Sequence, residues 1–207
     1  MKDKIKSDKD KKKRIIKSAI KIFSQKGYGP IVLDEIAREA DIAKGTLYLY
    51  FQDKKDLVYH TILYVLDTIE NALQNDLKDS KSPFEKLERI AFNQLSTFQK
   101  NPDFFGLFFI LCDPKLVSNR EKLFKLLWTR QNNLLHFETS VLKQAQKQGL
   151  ISKELDCAEI AHLFNGMITS AIHRLKFEPS GQKLDIPKTV HTLIRVLLEG
   201  ISTGRPV

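Results

Sequence analysis

Cysteine is nearly missing from this sequence. Cys112 and Cys157 are the only two among 207 residues, and neither belongs to a CxxC pair or a zinc spacing. Both sit in apolar helical patterns, which predicts buried free thiols. The five histidines, His60, His136, His162, His173 and His191, form no ligand motif. His162 and His173 fall three turns apart on one helical face, too far to share an ion. Long apolar runs are also lacking. The longest, 104–112, is far short of the roughly 20 residues that span a bilayer. Met1-Lys2-Asp3-Lys4 carries no apolar segment of the kind that opens a secretory signal, so a soluble cytoplasmic protein is expected. GxSxG, GxGxxG, P-loop and HExxH patterns are all missing. A non-enzyme without a metal or cofactor is the expectation. No stretch alternates with the two-residue period of a half-buried strand, and no internal repeat is found.

What is present is positive charge and helical periodicity. The formal net charge is +9. Residues 1–60 hold 15 Lys and Arg against 9 Asp and Glu, while the remaining residues hold 19 against 16. The excess therefore gathers near the N-terminus, which suits a polyanionic partner. Residues 1–13 are rich in Lys and Asp and are expected to fray. Ile15, Ile16, Ala19, Ile20, Ile22 and Phe23 predict a helix from about residue 10 to 26, ended by Gly27 and followed by a Gly29-Pro30 turn. Further helices are predicted at 54–77, 84–99, 103–112, 118–148, 156–177 and 187–202. Ser118 and Asp156 are the expected caps, and Gly149 the expected stop. The breaks between them include Asp113-Pro114 and residues 178–181. In the helix over 118–148, Leu134, Phe137, Val141 and Leu142 are read as the inward stripe.

Residues 34–57, DEIAREADIAKGTLYLYFQDKKDL, organise the N-terminal part. They predict two short helices joined by a tight turn. Ile36, Ala37, Ala40, Ile42 and Leu47 have the spacing that presses two crossed helices together. Lys44, Thr46, Tyr48 and Leu49 then point outward from the second helix. They offer a cation, a hydroxyl, a phenol and an apolar group, the chemistry that reads the DNA major groove.

Gly45-Thr46-Leu47-Tyr48, Tyr50-Phe51, Lys54 and Leu57 resemble the GTLYxYFxxKxxL signature of the TetR family of transcriptional regulators. Gly27-Tyr28 and Ile36-Ala37 fall where that family places Gly-aromatic and Ile-Ala pairs. The resemblance implies an all-α dimer. An N-terminal three-helix helix-turn-helix domain (1–53) would bind DNA, and a C-terminal helical bundle (54–207) would bind a ligand and dimerise. Most members are repressors released by a small molecule. On this resemblance Lys44, Gly45, Thr46, Tyr48, Leu49, Tyr50 and Lys54 are the DNA-binding residues. Three positions depart from the pattern. Ile31 and Val32 stand where Thr is usual, Asp41 replaces the turn Gly, and Ala43 replaces a capping Ser.

Phe104, Phe105, Phe108 and Phe109 form the densest aromatic stretch. With Trp128 and Phe164 they could wall an apolar cavity, or simply fill a core. Gln131, His136 and Asn165 could orient the polar end of an apolar or amphipathic effector. Gly166 weakens its helix by about 1 kcal/mol relative to Ala, a cost that a close helix–helix approach would offset. The apolar face of Val190, Leu193, Ile194, Leu197 and Ile201, beside the Gly166 helix, is expected to form a homodimer on an inverted-repeat operator. The same residues could instead complete a monomer core. Two other functions stay open: a constitutive DNA binder without a ligand switch, and a helical enzyme or carrier that retains the hairpin.

Overall fold

The computed structural model describes residues 2–26, 33–77, 80, 82–105, 120–177 and 183–201. Gly27, Gly29-Pro30, Ile31, Val32, Phe108, Phe109, Cys112, Asp113-Pro114, Ser118 and residues 178–181 lie outside them. Among the described residues there are eight long or short helices and no strand. They are α1 (Lys2–Lys26), α2 (Leu33–Glu39), α3 (Lys44–Tyr50), α4 (Lys54–Leu77), α5 (Pro83–Lys100), α6 (Arg120–Lys147), α7 (Cys157–Phe177) and α8 (Ile186–Ile201). α1 begins at Lys2 rather than near residue 10, so the expected frayed tail is helical. Of the predicted 103–112 helix, Phe104 and Phe105 are described and helical.

Short polar side chains start four of the described helices. Asp53 Oδ1 accepts the Asp56 N–H at 2.7 Å, and Ser82 Oγ accepts the Glu85 N–H at 3.1 Å. Asp156 Oδ1 takes the Ala158 N–H at 2.7 Å, and Asp185 Oδ1 takes that of Lys188 at 3.0 Å. Each satisfies a donor that the first helical turn leaves unpaired. Gly149 ends α6 with φ 72°. The Leu150 N–H donates to the Ala145 carbonyl at 3.0 Å and the Gly149 N–H to that of Gln146 at 3.1 Å, a Schellman closure that needs a left-handed residue.

Two compact units result, residues 1–68 with 101–124, and residues 69–100 with 125–207. The division between the two units falls inside α4. Leu57, Val58, Thr61, Ile62 and Val65 of α4 are buried in the first unit, because the helix keeps its apolar period past its first turn.

In the second unit α5 packs on α7 and α8, and α7 packs on α8. Leu87, Ile90, Leu95, Phe164, Ile168, Val190, Leu193 and Leu197 are buried there. A fully buried side chain of this kind contributes about 1.5–3 kcal/mol. This corrects the expected dimer face. Val190, Leu193 and Leu197 belong to the core of their own chain, because α5 and α7 already cover the broad apolar side of α8. Ile194 is half-buried. The large apolar residues that α7 and α8 leave to solvent are Leu163 at 66%, Phe177 at 60% and Val196 at 57% exposure. Among the described residues Gly166 meets no close helix, since a Cβ built there finds nothing within 4 Å.

Candidate functional site

The turn between α2 and α3 has a backbone reason for its residues. Asp41 stands at φ 50°, a left-handed position that aspartate tolerates. The Ile42 N–H donates to the Ala37 carbonyl at 3.0 Å, and the Asp41 N–H to that of Arg38 at 3.1 Å. This is the same closure that ends α6, made without glycine. Arg14 Nη2 donates to the Asp41 carbonyl at 3.3 Å and ties α1 to the turn. Ala43 has the extended backbone of an N-cap but makes no side-chain cap to α3.

Ile36, Ala37, Ala40, Leu47 and Phe51 are buried, and Ile42 is half-buried. They hold the hairpin against Ile15, Ala19 and Phe23 of α1, all wholly buried in the same unit. Ion pairs Lys21–Glu39 at 2.6 Å and Lys26–Glu35 at 2.8 Å brace its rim. Being exposed, such pairs contribute little.

The other face of α3 is open. Lys44, Gly45, Tyr48 and Leu49 are exposed, while Thr46 and Tyr50 are half-buried. Leu49 is 83% exposed. A Cβ built on Gly45 finds nothing within 4 Å, so packing among the described residues does not call for glycine there. The position instead leaves the backbone accessible to a close partner.

Two of the polar groups on this face are held by carboxylates. Lys44 Nζ lies 2.8 Å from Asp34 Oδ1, and that hydrogen bond, with the Asp34 charge, holds the ammonium above its ordinary range. The Tyr50 hydroxyl donates to Asp8 Oδ1 at 3.1 Å. Burial and that bond push its phenol up. Lys54 is half-buried at the start of α4, and burial pulls its ammonium down. Lys12 Nζ sits 5.4 Å from the centre of the Phe51 ring, which meets His60 edge-on at 5.6 Å. Burial, then the Lys12 charge, lowers His60, against Asp56.

The second unit holds a different polar constellation. Glu138 of α6 is wholly buried. Asn165 Nδ2 of α7 donates to Glu138 Oε2, and Gln131 Nε2 donates to Asn165 Oδ1 at 3.3 Å. Burial pushes the Glu138 carboxyl up to about 8, opposed by the Asn165 hydrogen bond. It is therefore mostly a neutral acid at pH 7.

The description "Bacterial regulatory proteins, tetR family" matches residues 15–60. Over those residues the chain matches the TetR family. It is 33% identical over 114 residues to the HTH-type transcriptional regulator YerO of Bacillus subtilis (strain 168). That match takes in 54% of this chain and 39% of the relative's length. Over 197 residues, 95% of this chain and 98% of the other, it is 21% identical to the fatty acid metabolism regulator protein of the same organism. The fatty acid degradation regulator FadR from Bacillus halodurans shares the fold at a TM-score of 0.74 and 19% identity, with 92% of this chain and 95% of that one covered. The TetR family comprises transcriptional regulators and not enzymes.

The seven expected DNA-facing residues gather on or beside α3. The expected ligand residues are divided between the two units and the undescribed stretch. Phe104 and Phe105 are buried in the first unit, and Phe108 and Phe109 lie outside the described residues. Trp128, 69% exposed, and His136, also exposed, stand in solvent rather than walling a cavity. Gln131 and Asn165 do meet, through the bond described above. Sequence reasoning missed Glu138 by one residue. It took Phe137 as inward, yet Phe137 is exposed at 37%. The stripe of Leu134, Val141, Leu142 and Ala145 runs through position 138 at helical spacing; an acid on that stripe was the available signal. Asp8 and Asp34 left none, since no spacing rule joins them to Tyr50 and Lys44. Cys157 is buried, and burial raises its thiol. Among the described residues no group of three His, Cys, Asp or Glu could hold a metal. None of the described helices is long and apolar enough to cross a membrane.

Proposed function

We propose that this chain is a cytoplasmic repressor. Two copies bind an inverted-repeat operator through paired α3 helices, and a small apolar or amphipathic effector releases them. The observation that carries this is the outward face of α3, with Leu49 at 83% exposure and open space over Gly45. Neither residue benefits the free protein. Both suit a helix in the major groove, where Leu49 meets a thymine methyl and the backbone at Gly45 comes close to DNA. Lys44 donates to guanine or phosphate, exchanging Asp34 for DNA, and Thr46 meets a base edge. Tyr48, Tyr50 and Lys54 meet phosphates and set the register. Residues 1–53 serve DNA binding, and residues 54–207 serve effector binding and pairing.

The subunits pair through uncovered residues of α7 and α8, Leu163, Gly166 and Val196, with protein symmetry repeated in the operator. The effector prefers a conformation whose recognition helices no longer match successive grooves. A coupling of about 1–3 kcal/mol gives a 5- to 150-fold loss of operator affinity. Similarity along nearly the whole chain to a fatty acid metabolism regulator supports an acyl-like effector.

Selection of bound genomic fragments should return an inverted repeat. On it, Lys54→Ala should weaken binding on all sequences and reduce the salt slope by about one. If Tyr48→Ala and Lys44→Ala both bind that site as wild type does, the assignment fails. A monomer in sedimentation at micromolar concentration would overturn the pairing.

A further inference from the structure

The hydrogen bonds around Glu138 run in one direction. Gln131, exposed on α6, donates to Asn165 on α7, and Asn165 donates to Glu138 Oε2. The last atom of the series, Glu138 Oε1, is buried and has no hydrogen-bond partner among the described residues. Its surroundings are apolar: Val141 and Leu142 lie one turn on along α6, and Ala161, Phe164 and Ile168 flank Asn165 on α7, all buried. A buried polar atom left without a partner is costly, and native chains seldom keep one unless something occupies it.

We propose that Glu138 is the polar anchor of the effector site, donating a hydrogen bond from Oε1 to an acceptor oxygen at the polar end of an otherwise aliphatic ligand. This rests on the effector-binding function proposed above and names the ligand chemistry for it. Asn165 and Gln131 are positioning residues. With Oε2 accepting from Asn165, a proton on the carboxyl belongs on Oε1, the atom without a partner. Burial keeps the acid protonated near neutrality. None of the ion pairs among the described residues involves Glu138, so no cation paired there favours its charged form. A carbonyl, ester or carboxylate oxygen accepts this proton directly. An ammonium ligand offers only donors and would first have to strip the proton from a desolvated site.

Calorimetry on the full chain at pH 7 distinguishes these chemistries with three ten-carbon probes: decanoic acid, 2-decanone and decylamine. Decanoic acid and 2-decanone should bind, and decylamine should bind at least about tenfold more weakly, which is about 1.4 kcal/mol. Glu138→Gln places an N–H donor where the O–H was, so 2-decanone affinity should stay within about threefold of wild type. Glu138→Leu should lose about tenfold or more. Should the leucine variant not fold, infrared difference spectra of wild type against Glu138→Gln give an independent readout. A protonated-carboxyl carbonyl band should be present at pH 7 and shift when 2-decanone binds. Three results would overturn the proposal. Decylamine could bind tightest and lose its binding in Glu138→Gln, a folded Glu138→Leu could bind 2-decanone as wild type does, or all three probes could fail to bind and leave the band unmoved. None of these measurements uses DNA, so such a failure leaves operator binding standing. Failure to bind any operator would in turn leave the probe results intact.

Discussion

α3 and the α6–α7 contact depart from ordinary burial in opposite directions. In α3 a leucine is left in water, and beside it is a glycine that packing among the described residues does not require. Between α6 and α7 an acid is withdrawn from water, and one of its oxygens has no partner among the described residues. Neither arrangement adds to the stability of the isolated chain. The first exposes an apolar group ready to be covered by a large polar surface with apolar spots, as DNA presents at thymine. The second keeps a hydrogen-bond donor inside, where a small molecule that reaches it meets no competing water. On the functions proposed above, the difference separates two kinds of recognition, one outside the fold and one within it.

The sharpest way to break this comparison lies within α3 itself. Leu47 is wholly buried and Leu49 is 83% exposed. Leu47→Ala should cost about 2–5 kcal/mol in urea unfolding, whereas Leu49→Ala should stay within about 0.5 kcal/mol of wild type. On the selected operator, Leu49→Ala should bind about tenfold more weakly or worse. Equal destabilisation by the two would mean that α3 has no separate outer face.

The next effect belongs to Glu138 and depends on pH. Its carboxyl ordinarily titrates near 4.5, and in the folded chain near 8. Between those values the folded state holds a proton that the unfolded state has lost. Stability is therefore full below about pH 4.5 and falls as pH rises toward 8. Glu138→Gln removes that slope. At pH 8 the variant should be the more stable by on the order of a few kcal/mol, with little difference at pH 5. Parallel unfolding curves at the two pH values check this, and equal slopes would place the acid in water.

The smallest effects lie at the start of α3. Gly45→Ala should leave stability unchanged or raise it by up to about 1 kcal/mol, yet weaken operator binding because the added methyl meets the partner. Ala43→Ser should supply the missing cap and gain about 0.5–2 kcal/mol in thermal unfolding. A Gly45→Ala protein that unfolds more easily and binds DNA normally would give that glycine a role in the fold instead.

The hairpin, its turn and its two faces were legible in the sequence because each depends on rules that act over a few residues. Helical spacing sorts Leu47 inward and Leu49 outward, Asp41 tolerates the left-handed turn, and Gly149 and Asp156 end and begin helices by local geometry. The caps and periods of the second unit were legible for the same reason. Partners far apart in the chain were not. Tyr50 meets Asp8 across 42 positions, and Lys44 meets Asp34 from the neighbouring helix; periodicity says nothing about which carboxylate will be near. The face of α8 with Val190, Leu193 and Leu197 was plainly apolar, but an apolar stripe does not say whether its own chain or a second one covers it. Packing on α5 and α7 decided that. Glu138 shows the same limit at the scale of one residue. The local period admits either 137 or 138 near the inward stripe. The rotation of α6 is set by everything that packs on it, and that buried the acid and left the phenylalanine outside.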